Sequence, residues 1–222
     1  MIWLAILLAY IPSTGSLMKR AAERARALGR GREVTLTGTL TVSGQPARTA
    51  QLVIRFPLQC RFQADGGTLS SVKGSPPAAE GASGPVSQLL QLACPLLAFR
   101  GLPRDEQEKA LLAAAASAGV ETAATPSISR LMDRAVYVVG AGPRDTSRPQ
   151  LWLYKDTFAP ARVIAQGGAE LRLLEYGNPA AGEWFPRMFE LWSGDQLGAR
   201  FEVLEEKGVR SGGEEEEDDS SG

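Results

Sequence analysis

Six strand-like runs follow one another through residues 134–206 with only short turn-prone stretches between them. They are RAVYVVGAG (134–142), PQLWLYKD (149–156), ARVIAQG (161–167), AELRLLEYG (169–177), WFPRMFELWSG (184–194) and QLGARFEVLEE (196–206). Parallel neighbours need crossovers of about a dozen residues or more, so links this short dictate an antiparallel meander. A second block of the same kind comes earlier. In EVTLTGTLTVSG (33–44), Val34, Leu36, Leu40 and Val42 alternate with threonines, as a half-buried antiparallel strand does. RTAQLVIRF (48–56) follows Gly44-Gln45-Pro46 as its hairpin partner. LQCRFQAD (58–65) resumes after Pro57, and TLSSVKG (68–74) reads as a further strand.

Between the blocks the periodicity changes. GSPPAAEGASG (74–84) has nothing to bury and reads as a mobile loop, a natural hinge. PVSQLLQLACPLLAF (85–99) is an apolar helix broken or kinked at Pro95, and PRDEQEKALLAAAASAG (103–119) is a second helix. The acids of the second offset the helix dipole in its first turn, a simpler role than acid–base chemistry. SLMKRAAERARALGRG (16–31) is amphipathic, with a thin stripe of Leu17, Ala21, Ala25 and Leu28 and stops at Gly29 and Gly31. Such a helix packs across the end or outside of a sheet. The expected fold is α+β, mainly β: a curled antiparallel sheet of about nine or ten strands whose concave face is covered by the inserted helices. The strand at 150–156 is apolar on both faces, which predicts helices on one side of it and outer packing on the other.

The chain has 222 residues, enough for one domain with a real core. Its net charge is −1, and the acidic run at 214–219 accounts for −6, so the remainder carries −1 + 6 = +5. That is too weakly basic to argue for nucleic acid. There is no histidine, which excludes Ser-His-Asp and Cys-His catalysis and His-ligated metal. No P-loop, dinucleotide fingerprint, G-x-S-x-G or S-x-x-K motif is present, and the reading is of a non-enzyme without cofactor or metal. The start, MIWLAILLAYIPSTGS, has an apolar run at 2–11, too short to span a bilayer and suited to a secretory signal with Thr14 and Ser16 at the cleavage site. It lacks a basic n-region; the alternative is a buried apolar segment. The expected division is a signal peptide at 1–16, a folded domain at 17–207 and a disordered acidic tail at 208–222. An exported protein with two cysteines is expected to join Cys60 to Cys94, the alternative being two buried thiols.

LWLYKDTFAPARV and EWFPRMFELWSGDQLGARFEVLE resemble the bacterial LolA/LolB family of lipoprotein carriers. Members have an apolar, aromatic strand, an acidic turn and then x-P-x-[RK]-[VIL], which stands here as Asp156-Thr157-Phe158-Ala159-Pro160-Ala161-Arg162-Val163. Trp184-Phe185-Pro186 is similar to the family's entry into a late strand, and LVIRFPLQCRF to its early strand, Arg, Pro and aromatic series. The order of elements matches over most of 17–206. The resemblance implies an incomplete β-barrel with helices as a lid over a hollow that takes acyl chains of lipoproteins crossing the periplasm. The family's carriers place an Arg directly before the Pro, where it helps hold the lid. Here Phe56 precedes Pro57, and Arg55, the candidate latch, lies one residue earlier, on the opposite strand face unless a bulge intervenes.

On this reading Trp152, Tyr154, Trp184, Phe185, Phe189, Trp192 and Phe201 are aromatic candidates for the cavity wall, with Leu52, Ile54, Leu171, Leu173 and Leu191 as its aliphatic share. The plain alternative for each is core packing. Leu89, Leu92, Leu96, Leu111 and Leu112 are the lid candidates. The expected function is a monomeric periplasmic carrier that binds acylated lipoproteins or similar lipids and ferries them towards the outer membrane. Its candidate partners are an inner-membrane export complex and an outer-membrane receptor. The alternative is a regulatory or sensory module of the same fold that contacts a partner protein.

Overall fold

The computed structural model describes residues 11–26, 31–74, 77–81, 84–177 and 185–210. Helix α1 (Thr14–Arg26) precedes five strands: β1 (Gly31–Val42), β2 (Arg48–Arg55), β3 (Gln59–Ala64), β4 (Gly67–Lys73) and β5 (Ala78–Gly81). Helices α2 (Pro85–Leu97) and α3 (Arg104–Ser117) follow, joined through a 3-10 turn at Phe99–Gly101. Seven more strands are β6 (Ser127–Leu131), β7 (Arg134–Gly140), β8 (Gln150–Tyr154), β9 (Pro160–Ile164), β10 (Ala169–Tyr176), β11 (Pro186–Ser193) and β12 (Gln196–Arg210).

These strands form one sheet in the order β5-β4-β3-β2-β1-β12-β11-β10-β9-β8-β7-β6, with antiparallel pairing throughout. Each block is a meander, and the pairing of β1 with β12 joins the two. The sheet does not close, because β5 and β6 remain its edges. This is the expected α+β, mainly β architecture: an incomplete barrel with inserted helices. The join depends on Gly38, where the β1–β12 register shifts. A Cβ there would lie 2.0 Å from the carbonyl oxygen of Glu202, so only glycine lets the two blocks approach this closely.

The structure departs from expectation at four places. β5 occupies part of the 74–84 stretch expected to be loop; Ala-Ala-Glu-Gly has no strand pattern and is held by backbone pairing with β4. The short edge strand β6 was also not foreseen. α1 begins at Thr14, because the Ser13 hydroxyl accepts from the Ser16 N–H at 3.3 Å and caps the helix. α2 continues through Pro95 and ends at Leu97, so the proline marks the approach of the helix end. The apolar run at 2–10, the end of the predicted first helix at 27–30 and the acidic tail at 211–222 lie outside the described residues.

The inner face of the sheet carries the main core, which includes Leu36 and Leu40 of β1, Leu52 and Ile54 of β2, and Phe62 of β3. Phe201 of β12 stands edge-on to Phe62 at 5.0 Å and 5.9 Å from Phe189 of β11. α2 lies over β3–β5 and β10–β12 and buries Leu89, Leu90 and Leu97 there.

All five residues of β8 are buried. Leu151 and Leu153 join the inner core, while Trp152 and Tyr154 form a separate outer cluster with Val136, Val138 and Ala161. Guanidinium groups cap those outer rings. Arg162 lies 4.9 Å from the Trp152 ring and Arg134 3.8 Å from the Tyr154 ring. Gln150 draws the preceding loop over the same face: its amide donates to the carbonyls of Gly142 and Asp145, each at 2.7 Å, and its oxygen accepts from the Trp152 indole at 2.7 Å. The doubly apolar strand therefore meets helical cover on one side and this outer packing on the other.

Candidate functional site

Between α1 and β8 the inner face of the sheet is not filled. A cavity of about 390 Å³ lies there. Met18, Ala21 and Ala25 of α1 form one wall, with Leu96, Leu97, Phe99 and Leu111 beside them. Leu151 and Leu153 of β8 face them from the sheet, and Phe158, Ala159, Pro160 and Tyr176 complete the apolar lining. Arg24, Arg100, Arg134, Asp156 and Thr157 supply the polar share. Another cleft, of about 420 Å³, lies between α1 and α3, but apart from Ala22 its lining residues are charged: Lys19, Glu23, Arg104, Asp105 and Glu108.

The β8–β9 turn shapes one side of the cavity. The Phe158 N–H donates to the Tyr154 carbonyl at 2.8 Å, and the Tyr154 N–H to the Ala159 carbonyl at 2.9 Å. Phe158 adopts φ +58°, an unusual conformation for a side chain of this size, and stacks on Tyr137 with ring centres 6.1 Å apart. Next to it Arg134 reaches both oxygens of Asp156 at 2.8 Å. Burial alone would raise the Asp156 carboxyl, but Arg134 outweighs it and holds the group below its usual range. The Tyr176 hydroxyl donates to the Pro160 carbonyl at 2.7 Å, and burial pushes its pKa well above the ordinary value.

Arg100 comes from the 3-10 turn between the inserted helices. Its guanidinium lies 4.6 Å from the Phe185 ring centre and 5.5 Å from that of Phe56. Burial lowers its pKa to about 10, against a smaller favourable field from Glu206 and Tyr176. Gln107 fixes the backbone around it by donating to the carbonyls of Arg100 and Leu102, each at 2.9 Å. The turn seats on the cis Phe56–Pro57 corner: the Leu58 N–H donates to the Ala98 carbonyl at 2.7 Å, and a Cβ on Gly101 would meet the Pro57 nitrogen at 2.8 Å.

Among the described residues, none of those expected to wall the cavity borders it here. Leu52, Ile54, Leu171, Leu173, Phe189, Leu191 and Phe201 are packed in the core, largely beneath α2. Trp152 and Tyr154 face outward, since strand alternation gives the inner positions to their leucine neighbours. Trp184 lies outside the described residues. Of the two further aromatic candidates, Phe185 is buried in the core and Trp192 is half-buried with Arg172 4.8 Å from its ring. Among the lid candidates Leu96 and Leu111 border the cavity, Leu89 is buried in the core, and Leu92 and Leu112 pack at its margin.

Arg55 is not placed as a latch. It follows Ile54 onto the outer face, where its Nε donates to Glu33 at 2.7 Å. The contact between lid and corner is made the other way round, with Phe56 on the sheet and Arg100 on the lid. The Cys60–Cys94 disulfide is present and ties α2 to β3. Arg100, Arg134, Phe158 and the α1 wall are site residues beyond those expected from the sequence. The available signal was the pairing of Leu151 with Leu153, overshadowed by the larger aromatic residues between and beside them.

No protein-family model matches the sequence, and no curated protein matches it. Among solved structures the chain is similar to a LolA superfamily protein from Nitrosomonas europaea, at 12% identity and TM-score 0.45, covering 90% of this chain and 94% of the other. It is also similar to a putative outer membrane lipoprotein-sorting protein domain from Vibrio parahaemolyticus, at 12% identity and TM-score 0.49, covering 90% and 95%. A third likeness is to the MucA/MucB complex of Pseudomonas aeruginosa, at 17% identity and TM-score 0.27, covering 90% and 59%. No helix among the described residues is long and apolar enough to cross a membrane.

Proposed function

We propose that the protein is a periplasmic carrier that shelters an acyl chain of a lipoprotein or similar lipid and ferries it towards the outer membrane. The observation that carries this reading is the apolar cavity under α1, which has no catalytic constellation at its wall. The predicted signal sequence and the Cys60–Cys94 bond both suit an oxidising compartment outside the cytoplasm. A methylene occupies about the volume of a water molecule, about 30 Å³, so the cavity holds one chain of roughly a dozen methylenes. Burial at about 0.8 kcal/mol each gives about 10 kcal/mol before the costs of ordering and association, and those return several. What remains suits a cargo that must be both held and released.

The disulfide anchors α2, so access to the cavity falls to α1 and the β8–β9 turn. Titration of the oxidised protein with fluorescent acylated peptides is expected to saturate, and Ala25→Phe, which fills the cavity from α1, is expected to weaken binding at least tenfold. Folded wild-type protein that binds none of several acyl lengths overturns the carrier reading. Capture of a defined protein partner under those conditions would favour a regulatory module instead.

A further inference from the structure

We propose that the cavity selects single-chain amphiphiles with an anionic head, and that Arg100 receives the head. This rests on the acyl-chain reading and adds the chemistry of the other end of the ligand. Size sets the first limit: about 390 Å³ admits one chain of roughly a dozen methylenes and excludes several together. Charge sets the second. Three arginines and one carboxylate line the cavity, and Arg134 is already matched by Asp156 at 2.8 Å. Arg24 and Arg100 supply the remaining positive charge at the wall, Arg24 from an exposed position on α1.

Arg100 is the better placed of the two. Among the described residues no carboxylate lies within ion-pair distance of it, and its immediate neighbours are the Phe56 and Phe185 rings. A guanidinium surrounded by apolar groups gains most from a ligand that brings a compensating charge and acceptor oxygens. Burial already draws its pKa down to about 10, and the fields of Glu206 and Tyr176 offset that only in part. It is also held in place, because buried Gln107 fixes the carbonyls of Arg100 and Leu102. The ligand therefore lies with its chain between α1 and Leu151 and Leu153, and its head turned to the 3-10 turn. A carboxylate and a phosphate monoester share the required chemistry.

Isothermal titration of the full oxidised chain with dodecanoate, dodecyl phosphate, neutral monododecanoylglycerol and inorganic phosphate tests the inference. The anionic amphiphiles are expected to bind tenfold to a hundredfold more tightly than the neutral one, and inorganic phosphate not to bind. Comparison of dodecanoate with dodecyl phosphate then identifies the preferred head. Arg100→Met is expected to bring the anionic-to-neutral affinity ratio close to one, whereas Arg100→Lys retains part of it. Equal affinities for anionic and neutral amphiphiles in the wild type overturn this inference and leave the carrier reading standing. Absence of binding by every amphiphile removes both. Inorganic phosphate binding as tightly as dodecyl phosphate, or an unchanged ratio in folded Arg100→Met, also overturns it. If Arg100→Met does not fold, the wild-type ratio and the Arg100→Lys ratio decide.

Discussion

The inner face of the sheet is filled on one side and hollow on the other, although both sides come from the same kind of strand. Over β3–β5 and β10–β12 it meets α2, whose Leu89 and Leu90 are fully buried there, and a disulfide holds the helix in place. Over β8 a cavity separates it from α1, which offers Ala21 and Ala25 where longer side chains would be needed to close the gap. Cover therefore decides the outcome more than the sheet does. A leucine-rich helix makes a core, and an alanine-bearing helix in the equivalent role leaves room for a ligand.

Truncation should separate the halves most strongly. Phe201→Ala removes a ring wedged between Phe62 and Phe189 and is expected to destabilise the fold by about 4 kcal/mol. Leu153→Ala enlarges a space that already exists, and about 2 kcal/mol is expected there. Urea denaturation of both variants measures the gap; equal losses would break the comparison. Removal of the disulfide falls between these two. A bridge spanning 34 residues of separation contributes about 3–4 kcal/mol in the chain-entropy model, so Cys60→Ala/Cys94→Ala should lose about that much. Addition of volume gives a smaller contrast. Ala199→Phe, on the filled side, is expected to cost about 1–3 kcal/mol through overpacking, while Ala25→Phe, at the cavity, should stay within about 0.5 kcal/mol.

The sheet was legible because its turns are short and its strands alternate, and those are local properties. The thin stripe of the first helix was legible too, and it is the feature that makes the hollow. The cavity wall was not. Size drew attention to Trp152 and Tyr154, but the side of β8 that faces inward depends on neighbours distant in sequence. Arg134 and Arg162 cap the outer rings and make that face habitable for aromatic residues. β5 escaped notice because its backbone, paired with β4, supplies the order that its side chains do not encode. The Arg100–Phe56 contact joins an inserted helix turn to a strand corner 44 residues earlier (100 − 56 = 44), a juxtaposition that no local pattern announces.

The smallest predicted effect concerns the outer face behind the hollow side. Glu170 on β10 accepts from Arg162 at 2.6 Å and pairs with Arg172 as well. Burial would raise its carboxyl, but the two guanidinium groups outweigh that and hold it below the ordinary value of 4.5. A carboxylate depressed in the folded state adds stability that is fully present above its unfolded value and is lost as pH falls through the lower folded value. The pair should therefore contribute its full share at pH 7 and progressively less below about pH 4.5. Asp156 acts in the same direction, but its side chain is 64% exposed and water screens much of its share. Glu170→Gln is expected to cost about 1 kcal/mol at pH 7 and progressively less as pH falls below about 4.5, where the unfolded-state carboxyl takes up its proton first. Urea midpoints for the two proteins should therefore converge on acidification. Parallel lines from pH 7 to pH 3 would instead assign the loss to packing and leave no role for this charge in holding the sheet behind the cavity.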